Sequence, residues 1–233
     1  MKTIAGRAVC ETLEELTDPH STALLLVDLQ NDFVADDGVV AGRGEGREVE
    51  LRGVLANTLA VLQAARARGV VVAYLRYART ADHRHESPAS LRWTVIKRGY
   101  EVGAVSAVEG TWGAEIAAPL APAPGELVID KRRASGFFGT ALDEELRSRN
   151  VRTVILAGVS THGCVEATAR DAELRDYYVV VLEDCVGAYR NDLHASALTV
   201  MRSRYDVVPG RAVIETWSRL EGRPSYVPSR DTC

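Results

Sequence analysis

Three short apolar runs, each closing on a polar residue or a glycine and followed by a loop, constrain this chain most: Ala23 to Asp28, Leu127 to Lys131 and Thr153 to Gly158. Their length, aliphatic content and lack of alternation predict strands buried on both faces. Val70 to Leu75 and Tyr178 to Leu182 have the same β-branched character, and Asp206 to Pro209 is a weaker sixth run. Between them lie helical patterns at Glu48 to Arg68 with Gly69 as the stop, Leu142 to Arg149 after a Thr140 cap, Cys164 to Arg175, and Asp192 to Arg202. Strand–helix alternation implies parallel strands joined by right-handed crossovers. The expected fold is α/β: a doubly wound, mostly parallel sheet of five or six strands with helices on both faces, a Rossmann-like three-layer architecture.

The chain has 233 residues, near the upper end of what one hydrophobic core serves, so a single domain over 1–233 is expected. The first 20 residues and the segment from about 218 onward are expected to be peripheral. No apolar run approaches the roughly 18 residues that span a bilayer, and no apolar stretch marks a secretory signal, so no membrane and a cytoplasmic location are expected. The four cysteines (Cys10, Cys164, Cys185, Cys233) lie far apart, as free thiols do. A formal net charge of −4 with interspersed signs offers no basic field for nucleic acid, leaving a small molecule as the expected partner. Two stretches break the strand–helix pattern. The segment 35–46 holds four glycines and reads as a surface loop. The longer Thr80 to Gly113, carrying Arg92, Trp93, Lys97, Arg98, Tyr100 and Trp112, reads as a lid or pocket wall, or equally as an oligomer contact or plain surface.

In a doubly wound sheet, ligands bind in the crevice at the carboxyl ends of the strands. Asp28 and Lys131 close two of the strands, and Cys164 follows a third after a short turn, so three reactive residues remote in sequence converge. A thiol attacks as thiolate, and its free pKa of about 8.5 leaves few molecules ionised near neutrality. A position in the first turn of the helix beginning at Cys164, with the Lys131 ammonium nearby, is expected to favour the thiolate. Asp28, its pKa raised by burial, would take the thiol proton and return it to a leaving nitrogen. The N–H groups of Cys164 and of the Val159–Gly163 turn are candidates for stabilising an oxyanion, with Gly158 and Gly163 freeing that turn.

Taken singly, each residue has a plainer reading. A lone cysteine near a helix start is usually a small buried hydrophobe, Asp at a strand end a turn former, Lys there a solvated charge. An idle α/β scaffold that binds a metabolite, and a redox protein using Cys164, therefore remain as alternatives to a hydrolase. Cys185, at a strand end, reads as packed rather than reactive.

The blocks Leu25-Leu26-Val27-Asp28-Leu29-Gln30-Asn31-Asp32-Phe33, Asp130-Lys131 with Ser135-Gly136-Phe137, and Gly158-Val159-Ser160-Thr161-His162-Gly163-Cys164-Val165-Glu166-Ala167 resemble the three signature blocks of isochorismatase-like cysteine hydrolases. The resemblance runs from about Thr22 to Val213. It implies a six-stranded parallel sheet, the triad Asp28, Lys131 and Cys164, no cofactor, and a homo-oligomer, dimer or tetramer. It also implies a cis peptide between Val159 and Ser160, which would turn the Ser160 N–H toward an oxyanion beside that of Cys164. Metal-binding nicotinamidases of the family carry an Asp-x-His pair and a later His. That pattern is not evident here, where Asp82, His83 and His85 are the nearest residues, so no metal is expected. True isochorismatases cleave a vinyl ether by protonation and need no thiol, so Cys164 favours acyl transfer over that alternative. Gly110 to Ile116, Lys131 to Arg149 and the block Leu182 to Ala188 with His194 look most like ureidoacrylate and biuret amidohydrolases, implying a ureido or carbamoyl substrate. The glutamine associated with biuret is not apparent around Arg202-Ser203-Arg204. Phe33, Asn31, Trp112, Phe137 and His162 are candidate substrate contacts, and Arg92, Arg98, Arg133 and Arg190 are cations able to meet a carboxylate.

Overall fold

A computed structural model describes residues 1–42, 51–99, 101–103 and 105–220. The strands β1 (Lys2–Ile4) and β2 (Arg7–Val9) form an antiparallel ribbon. Six further strands, β3 (Thr22–Val27), β4 (Val71–Tyr77), β5 (Leu127–Lys131), β6 (Thr153–Val159), β7 (Tyr178–Gly187) and β8 (Asp206–Val208), make one sheet in the order β5-β4-β3-β6-β7-β8. Every pairing in it is parallel. The expected doubly wound fold is the observed one.

The two-residue period of the strands divides the core. Leu24, Leu26, Tyr74, Ile155 and Leu182 face the helices Leu51–Ala67 and Gly210–Arg219. Leu25, Val27, Leu75, Leu156 and Val181 face the helices Leu142–Ser148, Glu166–Glu173 and Asn191–Arg202. All six residues of β3 are buried, and truncating one of its leucines to alanine costs about 2–5 kcal/mol. Two glycine demands follow from this packing. Gly158 has φ +128° and pairs with Val27, and a Cβ there would lie 2.0 Å from the Val27 carbonyl oxygen; a Cβ on Gly163 would meet Ser160 Oγ at 2.6 Å.

Several expectations need correction. Strand β5 is an edge strand: it pairs only with β4 among the described residues, Val128 is 42% exposed, and Asp130 pairs with Arg76 on the surface. The helix expected from Cys164 begins earlier, as a π-helical turn over Thr161–Val165 that runs into Glu166–Glu173. The N-terminal segment is packed from Leu16 onward, with Thr17 buried and its carbonyl accepting from Trp217 Nε1 at 2.7 Å. Trp217 belongs to a helix, Gly210–Arg219, that the sequence reading omits. The loop expected at 35–46 contains the helical turn Val39–Gly42; Arg43 to Glu50, Tyr100 and the tail beyond Leu220 lie outside the described residues.

Candidate active site

Connections from β3 turn to one side of the sheet through β4 and those from β6 to the other through β7, opening a crevice between the carboxyl ends of β3 and β6. Asp28 stands just past β3 with φ +52°, its N–H donating to Leu75 O at 2.9 Å. A non-glycine residue in the left-handed region is uncommon, and here the backbone turns out of the ladder directly under a cavity of about 1030 Å³. Lys131, the last residue of β5, reaches across the end of β4 and is fully buried. Its Nζ donates to Asp28 Oδ2 at 2.9 Å and Arg133 O at 3.2 Å, and lies 4.4 Å from the Tyr77 ring centroid. Asp28 Oδ1 is buried and accepts no hydrogen bond among the described residues.

Cys164 lines the same cavity and is in electrostatic contact with both Asp28 and Lys131. The expected thiolate is corrected: burial, reinforced by the Asp28 charge, pushes the thiol up to about 12, and the Lys131 ammonium does not reverse it. Desolvation outweighs the ion pair for Asp28 as well, raising its carboxyl, while Asp28 and Cys164 together hold Lys131 protonated above its usual range. Asp28, Lys131 and Cys164 thus form one buried cluster in which the thiol and the carboxyl group can exchange a proton without changing the net charge. The Val159–Ser160 peptide is cis, and Ser160, His162 and Gly163 line the cavity beside Cys164. Burial, then Arg98 and Arg190, hold the His162 imidazole below its ordinary range, so it stands neutral.

Of the other candidate contacts, Phe33 lines the cavity, whereas Asn31, Trp112 and Phe137 are not among its lining residues. Asn31 is buried, and its amide donates to Trp112 O at 2.8 Å. Trp112 is itself half exposed, and Phe137 packs against Tyr177 in the core. The signature polar residues after β3 instead knit loops together. Gln30 accepts the Tyr77 N–H at 2.8 Å and donates to the Tyr77 and Ala114 carbonyls at 2.9 Å. Asp32 accepts from the Val39 and Ala107 N–H groups at 3.2 and 2.6 Å.

Part of the long irregular stretch forms the cavity wall, through Ser87, Ser90, Trp93, Thr94, Lys97 and Arg98. Arg133 and Arg190 also line it; Arg92 does not. His83 donates to Glu86 and Val102, at 2.8 Å each, and no cluster of three or more potential metal ligands occurs among the described residues. Cys185 is buried, with its thiol raised chiefly by burial. Tyr77 and Arg79 are the lining residues most plainly missed. Strand β4 runs to Tyr77, two residues further than the apolar pattern suggests, so the strand-end rule applied there would have found them. No helix among the described residues is long and apolar enough to cross a membrane.

Residues 22–212 match the family described as the isochorismatase domain. The ureidoacrylate amidohydrolase RutB of Agrobacterium fabrum is 37% identical over 174 residues, covering 71% of this chain and 75% of that protein. The crystal structure of an isochorismatase family protein from Desulfovibrio vulgaris superposes with a TM-score of 0.71 at 34% identity, covering 85% of this chain and 99% of that one. The N-carbamoylsarcosine amidase from Thermoplasma acidophilum superposes with a TM-score of 0.63 at 26% identity, covering 82% and 96%.

Proposed function

The chain belongs to the isochorismatase family, and from that premise we propose that it is an amidohydrolase that cleaves a carbon–nitrogen bond of a small ureido or carbamoyl substrate through a thioester on Cys164. The observation that carries this reading is the buried Asp28–Lys131 pair beneath a cavity-lining thiol, with Asp28 Oδ1 accepting no hydrogen bond among the described residues. Relatives named for ureidoacrylate and N-carbamoylsarcosine hydrolysis support the substrate class.

In this mechanism the resting enzyme holds Cys164 as thiol and Asp28 as carboxylate. As sulfur bonds to the substrate carbonyl carbon, its proton passes to Asp28 Oδ1. The anion moves from carboxylate to the reacting atoms while Lys131 stays charged beside both, so the low-dielectric site never holds an unbalanced charge. The N–H groups of Ser160 and Cys164 receive the oxyanion. Collapse breaks the carbon–nitrogen bond, Asp28 returns the proton to the departing nitrogen, and ammonia or an amine leaves. Asp28 then deprotonates the water that hydrolyses the thioester, and the thiol is regenerated. Desolvation of Asp28 makes it basic enough for this role.

The test is an ammonia-release screen across ureidoacrylate, N-carbamoyl amino acids, biuret and nicotinamide, with intact-mass analysis of rapidly quenched protein. Wild type is expected to release ammonia from a ureido or carbamoyl compound and to carry the acyl mass at Cys164. Cys164→Ser is expected to lose turnover by about 10³-fold or more; normal turnover in that variant would end the covalent reading.

A further inference from the structure

Resting on the amidohydrolase reading, we propose that Arg79 is the specificity-determining residue of this cavity, binding a carboxylate at the end of the substrate remote from the scissile bond. Its backbone is fixed on both sides: the Arg79 N–H donates to Ala107 O at 3.0 Å, and Arg79 O accepts from the Glu109 N–H at 2.9 Å. The guanidinium lies 4.7 Å over the Tyr77 ring, whose other cationic neighbour, Lys131, is 4.4 Å away. One ring thus spaces the cation of the chemical site from the cation of the cavity wall. Arg79 Nη1 donates to Ser106 Oγ at 3.2 Å. Nε is buried without a hydrogen bond among the described residues. The side chain is only 13% exposed, yet it lines the cavity. A stacked guanidinium, positioned on a cavity wall, is suited to an oxyacid.

Lys97 also lines the cavity, and three further cationic wall residues have partners of their own. Arg190 pairs with Asp192, with Nε and Nη2 at 3.0 and 2.5 Å. Arg133 Nη1 donates to the His85 and Arg132 carbonyls at 3.1 and 2.7 Å, and Arg98 lies 5.1 Å over Trp93. Arg79 does have an acidic neighbour, Glu86, 3.5 Å from Nε, but that carboxylate is shared. Its other oxygen is 2.8 Å from His83 Nδ1, and His83 Nε2 faces the Val102 carbonyl at 2.8 Å. Both ring nitrogens therefore meet acceptors, which is the arrangement of an imidazolium. Hydrogen bonding to Val102 and Glu86 accordingly raises the His83 pKa. With His83 protonated, one anion between two cations leaves a net positive charge on the Arg79–Glu86–His83 group. The acid in the cavity lining, Asp28, is already paired with Lys131.

The experiment compares kcat/KM for 3-ureidopropionate and the neutral alcohol of the same length, N-(3-hydroxypropyl)urea, in wild type, Arg79→Gln and Arg79→Lys. Wild type is expected to favour the acid. Arg79→Gln should lose about 100-fold on the acid, mainly in KM, and change less than about 3-fold on the alcohol. Arg79→Lys, which keeps the charge without the fork, should fall between. Equal losses on both substrates, or none on the acid, overturn the proposal. Calorimetric titration of 3-ureidopropionate into Cys164→Ser, with and without Arg79→Gln, reads the carboxylate contact independently of turnover. Silence of wild type on both ureas with an Arg79-dependent titration would fail the amidohydrolase reading alone; a titration indifferent to Arg79 would fail this proposal alone.

Discussion

The floor of the cavity and its outer wall are built by different means. Asp28 and Lys131 are 3% and 0% exposed, stand at the ends of sheet strands, and are held by hydrogen bonds at 2.9 Å and 3.2 Å. On the wall, Trp93 is 55% exposed and rides on a short π-helical segment, Arg92–Lys97, outside the sheet. The floor buys its geometry from the sheet's two hydrophobic faces, so displacing it means disturbing β3, β4 and β5. The wall has little buried apolar area to hold it and can change residue by residue without cost to the core. The Asp28–Lys131 charges sit deep at strand ends, while the exposed Trp93 sits on a segment outside the sheet.

The sharpest way to break this contrast is Lys131→Met. It leaves the Asp28 carboxylate buried without its cation, and we expect a loss of about 3–5 kcal/mol in urea denaturation near neutral pH. Adding Asp28→Asn should restore part of that loss, because the double variant no longer buries a lone charge. An unchanged midpoint for Lys131→Met would mean that the floor is wetter than its exposure indicates.

Next in size is the pH response of the proposed nucleophile. Folding raises the Cys164 thiol to about 12, whereas an unfolded chain loses that proton near 8.5. The folded-state value is the higher one, so its contribution to stability is complete below about pH 8.5 and is lost as pH rises toward 12, at about 1.4 kcal/mol per unit. Cys164→Ala should flatten the stability profile over that window relative to wild type, while the raised Cys185 thiol contributes equally to both. Iodoacetamide labelling of Cys164 should likewise climb through the alkaline range. A labelling plateau beginning near pH 7 would restore the resting thiolate.

The same division explains what was legible in the sequence. The floor was readable because each of its side chains sits at the end of a strand that announces itself by a short apolar run, and the topology of a doubly wound sheet then brings those ends together. Position within the fold was easier to read than electrostatic state. That Cys164 stands after β6 follows from pattern, but the protonation of its sulfur depends on desolvation against the Lys131 and Asp28 charges, a balance set in three dimensions. Strand β5 looked doubly buried because Val128 is apolar; only the strand order shows it at the edge. Asn31 illustrates a further limit, since a polar residue in a signature block is indistinguishable by sequence from one that ties down a loop, which is what its bond to Trp112 O does. Arg79 and Tyr77 escaped because the polar Arg76 interrupts the apolar run of β4.

The smallest effect belongs to the wall. Trp93 lines the cavity yet is half exposed, with Arg98 stacked 5.1 Å from its ring. Trp93→Ala removes apolar contact from the outer part of the cavity without touching the Asp28–Lys131 pair. We expect KM to rise by about 3- to 10-fold, consistent with roughly 1 kcal/mol of lost packing and cation–π contact, with kcat within 2-fold and the melting temperature shifted by less than about 2 °C. A fall in kcat at constant KM would place this ring in the chemistry itself. The wall would then have to be as well ordered as the floor, which its exposure and its few buried contacts argue against.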